Sequence, residues 1–62
     1  MTEFEELLLS CVKPNLAEGY EWKLKMNSRA LTGWEVEVEN ENGYSEKLIV
    51  TFEEILLFIA NL

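Results

Sequence analysis

The sequence predicts an α+β fold, a two-layer domain of order αβββα with two helices packed on one face of a three-stranded antiparallel meander. Apolar residues recur with a helical period near both ends of the chain, and between these segments the period changes to two, as in half-buried strands. The 62 residues suffice for a single domain, 1–62, near the lower size limit for independent folding.

The first helix is predicted to begin at Thr2. Its hydroxyl can accept a hydrogen bond from the N–H of Glu5, and the Glu5 carboxylate can reach back to complete a capping box. Pro14 ends the helix, because the residue before a proline favours extended backbone. The apolar stripe predicted to face the core comprises Phe4, Leu7, Leu8 and Cys11.

Two strands follow, in which apolar and charged side chains alternate. In strand one, residues 20–26, the residues predicted to face the helices are Tyr20, Trp22, Leu24 and Met26. A turn over residues 27–33 leads to strand two, where Trp34, Val36 and Val38 alternate with Glu35, Glu37 and Glu39. We expect the apolar sets to face the helices and the charged sets to face solvent.

The apolar pattern also determines the hairpin after strand two. A two-residue turn would set Val36 opposite Ile49 and mix the two faces of the sheet. A three-residue loop, residues 41–43 with Gly43 left-handed, sets Val36 opposite Leu48 and keeps both on the apolar face. We therefore predict the three-residue loop.

The second helix is predicted to begin at Thr51, with Glu54 three residues later as a second capping box. Its predicted core stripe comprises Phe52, Ile55, Leu56 and Ile59.

Apolar side chains outside these two stripes indicate an interaction surface. At 100° per residue, Leu9 lies outside the first stripe, and Leu57 and Phe58 lie on either flank of the second. A small monomer seldom exposes so many large apolar side chains. We expect them to contact a second copy or another protein. The alternative is that both stripes are broad and the helices pack on each other as well as on the sheet.

The charged face of the sheet is a second candidate. Twelve glutamates and five basic residues give the chain a formal net charge of −7. If strand two is central, Glu35, Glu37 and Glu39 form a carboxylate row spaced about 6.6 Å apart, similar to backbone phosphates. Such a row could mimic nucleic acid and occupy a basic nucleic-acid-binding protein. Three of the five basic residues are expected beside the row, so the alternative is a solvated face with cross-strand pairs.

The composition argues against other functions. Without histidine, and with Cys11 predicted to be a core residue, no activated nucleophile is expected, and the chain is predicted not to be an enzyme. The lack of histidine, of aspartate and of further cysteines argues against zinc and calcium sites, so no metal and no cofactor are expected. The acidic balance argues against direct binding of nucleic acid or an anionic membrane. The lone cysteine and the absence of a basic leader or a spanning segment predict a cytoplasmic protein.

The element order resembles that of the double-stranded-RNA-binding domain. That family binds phosphates with a lysine cluster at the start of its second helix, whereas this chain has Thr51-Phe52-Glu53-Glu54 there, so RNA binding is not expected. In size and charge the chain also resembles small acidic inhibitors encoded by phages and mobile elements. The predicted function is protein–protein contact by a non-enzymatic homodimer. The alternative is an acidic inhibitor that mimics nucleic acid and blocks a DNA- or RNA-binding protein.

Overall fold

The computed structural model describes residues 2–62 and confirms the predicted order of elements. The strands form one antiparallel sheet of order β1-β2-β3, and the two helices contact each other and the sheet. The elements are α1 (Glu3–Val12), followed by a short 3-10 helix (Lys13–Asn15), then β1 (Trp22–Ala30), β2 (Gly33–Asn40), β3 (Ser45–Thr51) and α2 (Phe52–Ala60).

The start of α1 is capped as predicted. The N–H of Glu5 donates to Thr2 Oγ1 at 3.2 Å, and the N–H of Thr2 donates to Glu5 Oε1 at 2.9 Å. Each side chain thereby satisfies a backbone donor that the start of a helix leaves without an intrahelical partner. The helix ends at Val12, two residues before Pro14. Lys13 has helical and not extended backbone (φ −50°, ψ −41°), because the chain continues into the 3-10 helix instead of leaving the helix before the proline.

The buried side of α1 differs from the predicted stripe. Leu8, Leu9 and Val12 are buried, whereas Phe4 is exposed and Cys11 is half-buried. The buried side is rotated by roughly a quarter turn from the predicted one. The reason is that α1 packs on the sheet with one side and on α2 with another, so its apolar stripe is broad. The prediction that Leu9 lies outside the core is therefore wrong.

Strand β1 carries a bulge that the alternating sequence pattern does not predict. Leu24 pairs with Val38 and Met26 pairs with Glu37, so Lys25 is an extra residue on β1 that is not paired with β2. A bulge changes which side chains face the core after it. Met26 consequently lies on the open face of the sheet with 57% of its surface exposed. The prediction that Met26 faces the core is wrong for this reason.

Strand β1 also continues through the segment predicted to be a turn. It ends at Ala30, opposite Gly33, and leaves a two-residue turn. The polar residues that suggested a longer turn have specific partners. Asn27 Nδ2 donates to Glu5 Oε2 on α1 at 3.4 Å, and Arg29 packs on an aromatic ring at the start of α2. Polar composition therefore did not indicate a turn here.

The hairpin between β2 and β3 has the predicted three-residue loop. The N–H of Asn40 donates to the carbonyl of Tyr44 at 3.0 Å, and Gly43 has a φ of +82°. Val36 pairs with Leu48, as the apolar pattern required. Asn40 Oδ1 stabilises the loop further by accepting from the N–H of Tyr44 at 3.1 Å.

The core lies between the sheet and α1. Tyr20 was predicted to be the first residue of strand one and to face the core. It precedes β1 and is exposed, so this prediction is wrong. The buried apolar residues are Leu8, Leu9, Val12, Leu16, Trp22, Val36, Val38 and Val50. None of these eight belongs to α2, so the second helix covers the core less completely than the first.

Candidate interaction surface

Helix α2 is an apolar helix that the fold leaves largely uncovered. It begins as predicted at Thr51, whose Oγ1 accepts from the N–H of Glu54 at 3.1 Å. The predicted capping box is incomplete, because the Glu54 carboxylate accepts from Thr51 Oγ1 at 3.2 Å and not from the Thr51 N–H. No side chain is buried within residues 52–60, all of which the structure describes. Leu56, Leu57 and Ile59 have 49–66% of their surface exposed. We call these three residues the apolar α2 surface.

The covered side of α2 is not the predicted one. Leu56, predicted to face the core, is the most exposed of the three residues of the apolar α2 surface. Ile55 packs against the core, and Phe58, predicted to lie outside it, is half-buried. The cause is that α2 packs on α1 as well as on β3, which rotates its covered side toward Phe58. The prediction that Phe52, Leu56 and Ile59 lie in the core is therefore wrong.

Two of the three predicted interface residues meet in a groove between the helices. Leu57 and Phe58 line it, whereas Leu9 lies in the core and is absent from it. The groove has a volume of about 300 Å³. The other lining residues are Ser10, Cys11, Pro14, Glu54 and Asn61. The structure thus keeps Leu57 and Phe58 together and removes Leu9 from the candidate surface.

The cysteine in this groove is a weak nucleophile. Burial raises the pKa of the Cys11 thiol, and the nearby Glu54 carboxylate raises this pKa further. A thiol with a raised pKa stays protonated, and the protonated form neither attacks electrophiles nor binds metals well. Cys11 therefore acts as a small packing residue between the helices.

The predicted carboxylate row lies on the central strand of the sheet. Strand β2 is central, and Glu35, Glu37 and Glu39 lie opposite Ile49, Lys47 and Ser45 of β3. Lys25 Nζ lies 3.8 Å from Glu39 Oε2 and 4.0 Å from Glu37 Oε2.

Lysines balance the charge of this row. Lys23 lies opposite Glu39 in the register with β1, and Lys47 lies opposite Glu37 in the register with β3. With Lys25, the open face of the strands thus has as many lysines as glutamates. The other nine glutamates and two basic residues account for the whole formal charge of −7. Lys25 is ion-paired with Glu37 and Glu39, whereas Glu35 lies opposite Ser28 and Ile49. The row is therefore balanced in formal charge, and the net negative charge lies elsewhere on the molecule.

Arg29 was predicted to lie in a turn but is part of β1, where its side chain joins neighbouring elements. Its guanidinium lies 4.4 Å from the ring centre of Phe52 and 6.0 Å from that of Trp34. It also donates to the carbonyl of Gly33 at 3.2 Å. The Phe4 ring packs edge-on against Trp34 at 5.0 Å. These contacts hold the starts of both helices against the β1–β2 hairpin.

The two outer strands present different edges. The register between β1 and β2 shifts at Lys25, and Lys23 stands two residues away. The register between β2 and β3 is unbroken from the pair Gly33–Thr51 to the pair Glu39–Ser45. Both outer strands contain lysines, so the bulge is what distinguishes them: it obstructs the addition of another strand, whereas a regular strand can accept one.

Comparison with protein-family models, curated proteins and solved structures found no match to the chain. Within residues 2–62, no helix is both long enough and apolar enough to cross a membrane. In the same range, no three carboxylate or thiol side chains are grouped so that they could hold a metal ion. Function is therefore inferred from the geometry of this chain alone.

Proposed function

We propose that this chain is a non-enzymatic cytoplasmic protein that acts by protein–protein contact and forms a homodimer through the apolar α2 surface. The observation that carries the proposal is the exposure of Leu56, Leu57 and Ile59 on a helix with no buried residue. Single exposed apolar side chains are ordinary in soluble proteins, but three neighbouring ones on a short helix form a patch that association would cover.

The non-enzymatic and cytoplasmic parts of the proposal rest on the composition and the thiol. The sequence has no histidine to serve as a general base, and the raised pKa of Cys11 keeps its thiol protonated. A single cysteine has no partner for an intrachain disulfide, which fits a reducing compartment.

The size of the apolar α2 surface sets the strength of the expected dimer. Burying about 400 Å² of apolar area in total would contribute about 10 kcal/mol at about 25 cal/mol per Å². The loss of translational and rotational freedom on association costs about 4–15 kcal/mol. The two quantities are similar, so α2 alone supports weak association and a tight dimer needs further contacts.

The net charge opposes self-association and gives it a distinctive response to salt. Two copies with a formal charge of −7 each repel one another, and added salt screens the repulsion. We therefore expect the dimer to tighten between low and physiological ionic strength. A complex between an acidic inhibitor and a basic protein would weaken over the same range.

Leucine-to-glutamate substitutions at two exposed positions test the proposal. Leu56→Glu places a charge in the proposed interface, whereas Leu31→Glu makes the same change at the 95% exposed tip of the β1–β2 turn. Sedimentation equilibrium should find dimers for the native chain and Leu31→Glu, and monomers for Leu56→Glu. A monomeric native chain, or equal dissociation of the two variants, would refute the proposal.

The alternative function, an acidic inhibitor that mimics nucleic acid, makes a different prediction. It requires the row of Glu35, Glu37 and Glu39 to present uncompensated charge. The lysines beside this row favour the homodimer. Binding to a basic nucleic-acid-binding protein that weakens with salt and with Glu37→Lys would support the inhibitor instead.

A further inference from the structure

Strand β3 lies at the edge of the sheet, and the ladder shows which of its N–H and C=O groups point away from β2. The N–H of Asn40 donates to Tyr44 at one end of the β2–β3 ladder, and the N–H of Phe52 donates to Thr32 at the other. Hydrogen-bonded pairs alternate with non-bonded pairs in an antiparallel ladder. Even-numbered residues of β3 therefore bond to β2. The residues whose N–H and C=O groups point to the outer edge are Ser45, Lys47, Ile49 and Thr51.

We propose that two copies of the chain join along this edge, with their β3 strands antiparallel and the two-fold axis passing through Leu48. The two sheets then form one continuous six-stranded sheet. The inference rests on the proposed self-association and specifies its geometry. Leu48 is the midpoint of Ser45–Thr51, so this register pairs all seven residues of the strand. The outward groups of Lys47 then bond to those of Ile49 in the second copy, and Ser45 bonds to Thr51.

The side chains of β3 are complementary in this register. On the open face, Lys47 lies beside Ile49 of the second copy. On the helix face, Leu48 lies beside its own equivalent, and Glu46 lies beside Val50. No like charges meet directly opposite each other, which would destabilise a strand pair. A register centred on Lys47 would bring the two lysines together and is disfavoured.

The partner is a second copy using β3, because the other edge obstructs strand addition. Strand β1 has the bulge at Lys25, which hinders edge pairing, whereas the register of β3 has no shift. Helix α2 follows β3 directly and packs on it, so the helix that carries the apolar α2 surface is next to the strand with the free edge. The edge supplies the additional contacts that the α2 surface requires.

A pair of charge variants at one position tests the edge contact. Within one copy, Ile49 lies opposite Glu35, so Ile49→Lys gains an ion-pair partner and Ile49→Glu meets a like charge. Across the proposed interface the effects are reversed, because Lys47 of the second copy lies beside position 49. We expect Ile49→Lys to weaken the dimer at least tenfold and Ile49→Glu to retain it. Ile49→Lys is thus expected to have the more stable monomer fold but the weaker dimer. Loss of the dimer through unfolding would give the opposite order of the two variants.

A symmetric disulfide tests the register. In a Cys11→Ser background, Leu48→Cys would place the two thiols in a non-hydrogen-bonded pair with Cα atoms about 4.5 Å apart, within the range of disulfides. The control is Ile49→Cys, whose two copies are diagonal neighbours about 7–8 Å apart. Under mild oxidation, the Leu48→Cys chains should form covalent dimers much faster than the Ile49→Cys chains.

The outcomes separate this inference from the proposed function. Equal crosslinking of the two cysteine variants, or no difference between Ile49→Lys and Ile49→Glu, would overturn the edge contact. If Leu56→Glu still dissociated the dimer in that case, self-association through α2 would stand without edge pairing. A native chain that stays monomeric would overturn both.

Discussion

The outer strands β1 and β3 pair with the same central strand and yet present opposite edges. Strand β1 has nine residues, a shift in register at Lys25 and a lysine that pairs with two carboxylates of β2. Strand β3 has seven residues, an unbroken register and an apolar helix continuing directly from its last residue. An unprotected edge invites another strand, and proteins that must stay monomeric obstruct it. The difference supports the proposal that β3, and not β1, pairs with a second copy.

The bulge in β1 disrupts strand pairing locally and also places a lysine beside the carboxylate row. The extra residue interrupts the β1–β2 ladder and moves Met26 to the open face. It also brings Lys25 within 4.0 Å of carboxylate oxygens of both Glu37 and Glu39. The bulge thus obstructs strand addition and also supplies a cation to the carboxylate row.

The largest predicted effect comes from separating β3 from the rest of the sheet. A Cβ atom added at Gly33 would overlap the Val50 carbonyl oxygen and lie 2.7 Å from the Thr51 Cα. Because these are backbone atoms, β3 would have to move away from β2. We expect Gly33→Ala to lower the free energy of unfolding by about 3 kcal/mol and to weaken the dimer. Urea unfolding and sedimentation measure the two effects.

Gly43→Ala is the matched control for this substitution. Gly43 has a φ of +82° and no neighbour within 4 Å of the added Cβ. Its replacement should cost only the strain of a left-handed residue, about 1 kcal/mol. Equal losses for the two glycines would mean that close approach of β3 to β2 does not determine the cost at Gly33.

Deleting Lys25 should make the β1 edge resemble the β3 edge. Without the extra residue, Leu24 still faces the helices and Met26 still faces the open side, so the apolar pattern is preserved. Strand β1 would then be regular and could accept another strand. Sedimentation velocity should find species larger than dimers that are absent from the native chain. If the deletion variant folds, with a native circular dichroism spectrum, and keeps the native mass, the bulge does not protect the edge.

Replacing Lys25 without deleting it should have a smaller effect. Lys25→Met keeps the bulge and removes the two ion pairs, which lie at a half-exposed side chain. Exposed pairs contribute about 0.2–1 kcal/mol. We expect a loss of unfolding free energy in this range at low salt that disappears at high salt. Lys13→Met, in the 3-10 helix after α1, is the control, and an equal loss there would exclude the ion pairs as the cause.

The smallest effect concerns the thiol of Cys11, which lies in the groove between α1 and α2. Its raised pKa means that the stabilisation from the neutral thiol is present below the unfolded pKa and is lost as pH rises through the folded pKa. Cys11 should therefore react with iodoacetamide more slowly in the folded chain than in urea at pH 8. Glu54→Gln should lower the pKa and speed the reaction slightly, since burial is the larger cause. If the Cys11 thiol reacted as fast in the folded chain as in urea, the packing of α2 beside Cys11 would be contradicted.

Local signals in the sequence predicted the elements whose structure depends on neighbouring residues. Thr2 and Thr51 identified both helix starts, and the position of Gly43 with the apolar pattern gave the hairpin loop and the β2–β3 register. These features depend on capping and on the two-residue period of a strand, both of which operate within a few residues.

The sequence could not predict features that depend on how elements pack together. The rotation of both helices moved Leu9 into the core and Leu56 out of it, because each helix contacts the other as well as the sheet. The bulge at Lys25 gave no signal, since a lysine fits the alternating pattern equally well. The free edge of β3 became visible only when the strand order was known.

Amide hydrogen exchange of the two edges tests the central claim most directly. The outward N–H groups of Lys47 and Ile49 on β3 should be compared with those of Asn27 and Arg29 on β1. The structure and the proposed dimer predict that the β3 amides become protected as protein concentration rises, while the β1 amides exchange fast at every concentration. Fast exchange at both edges over the whole concentration range, or protection at β1, would contradict it.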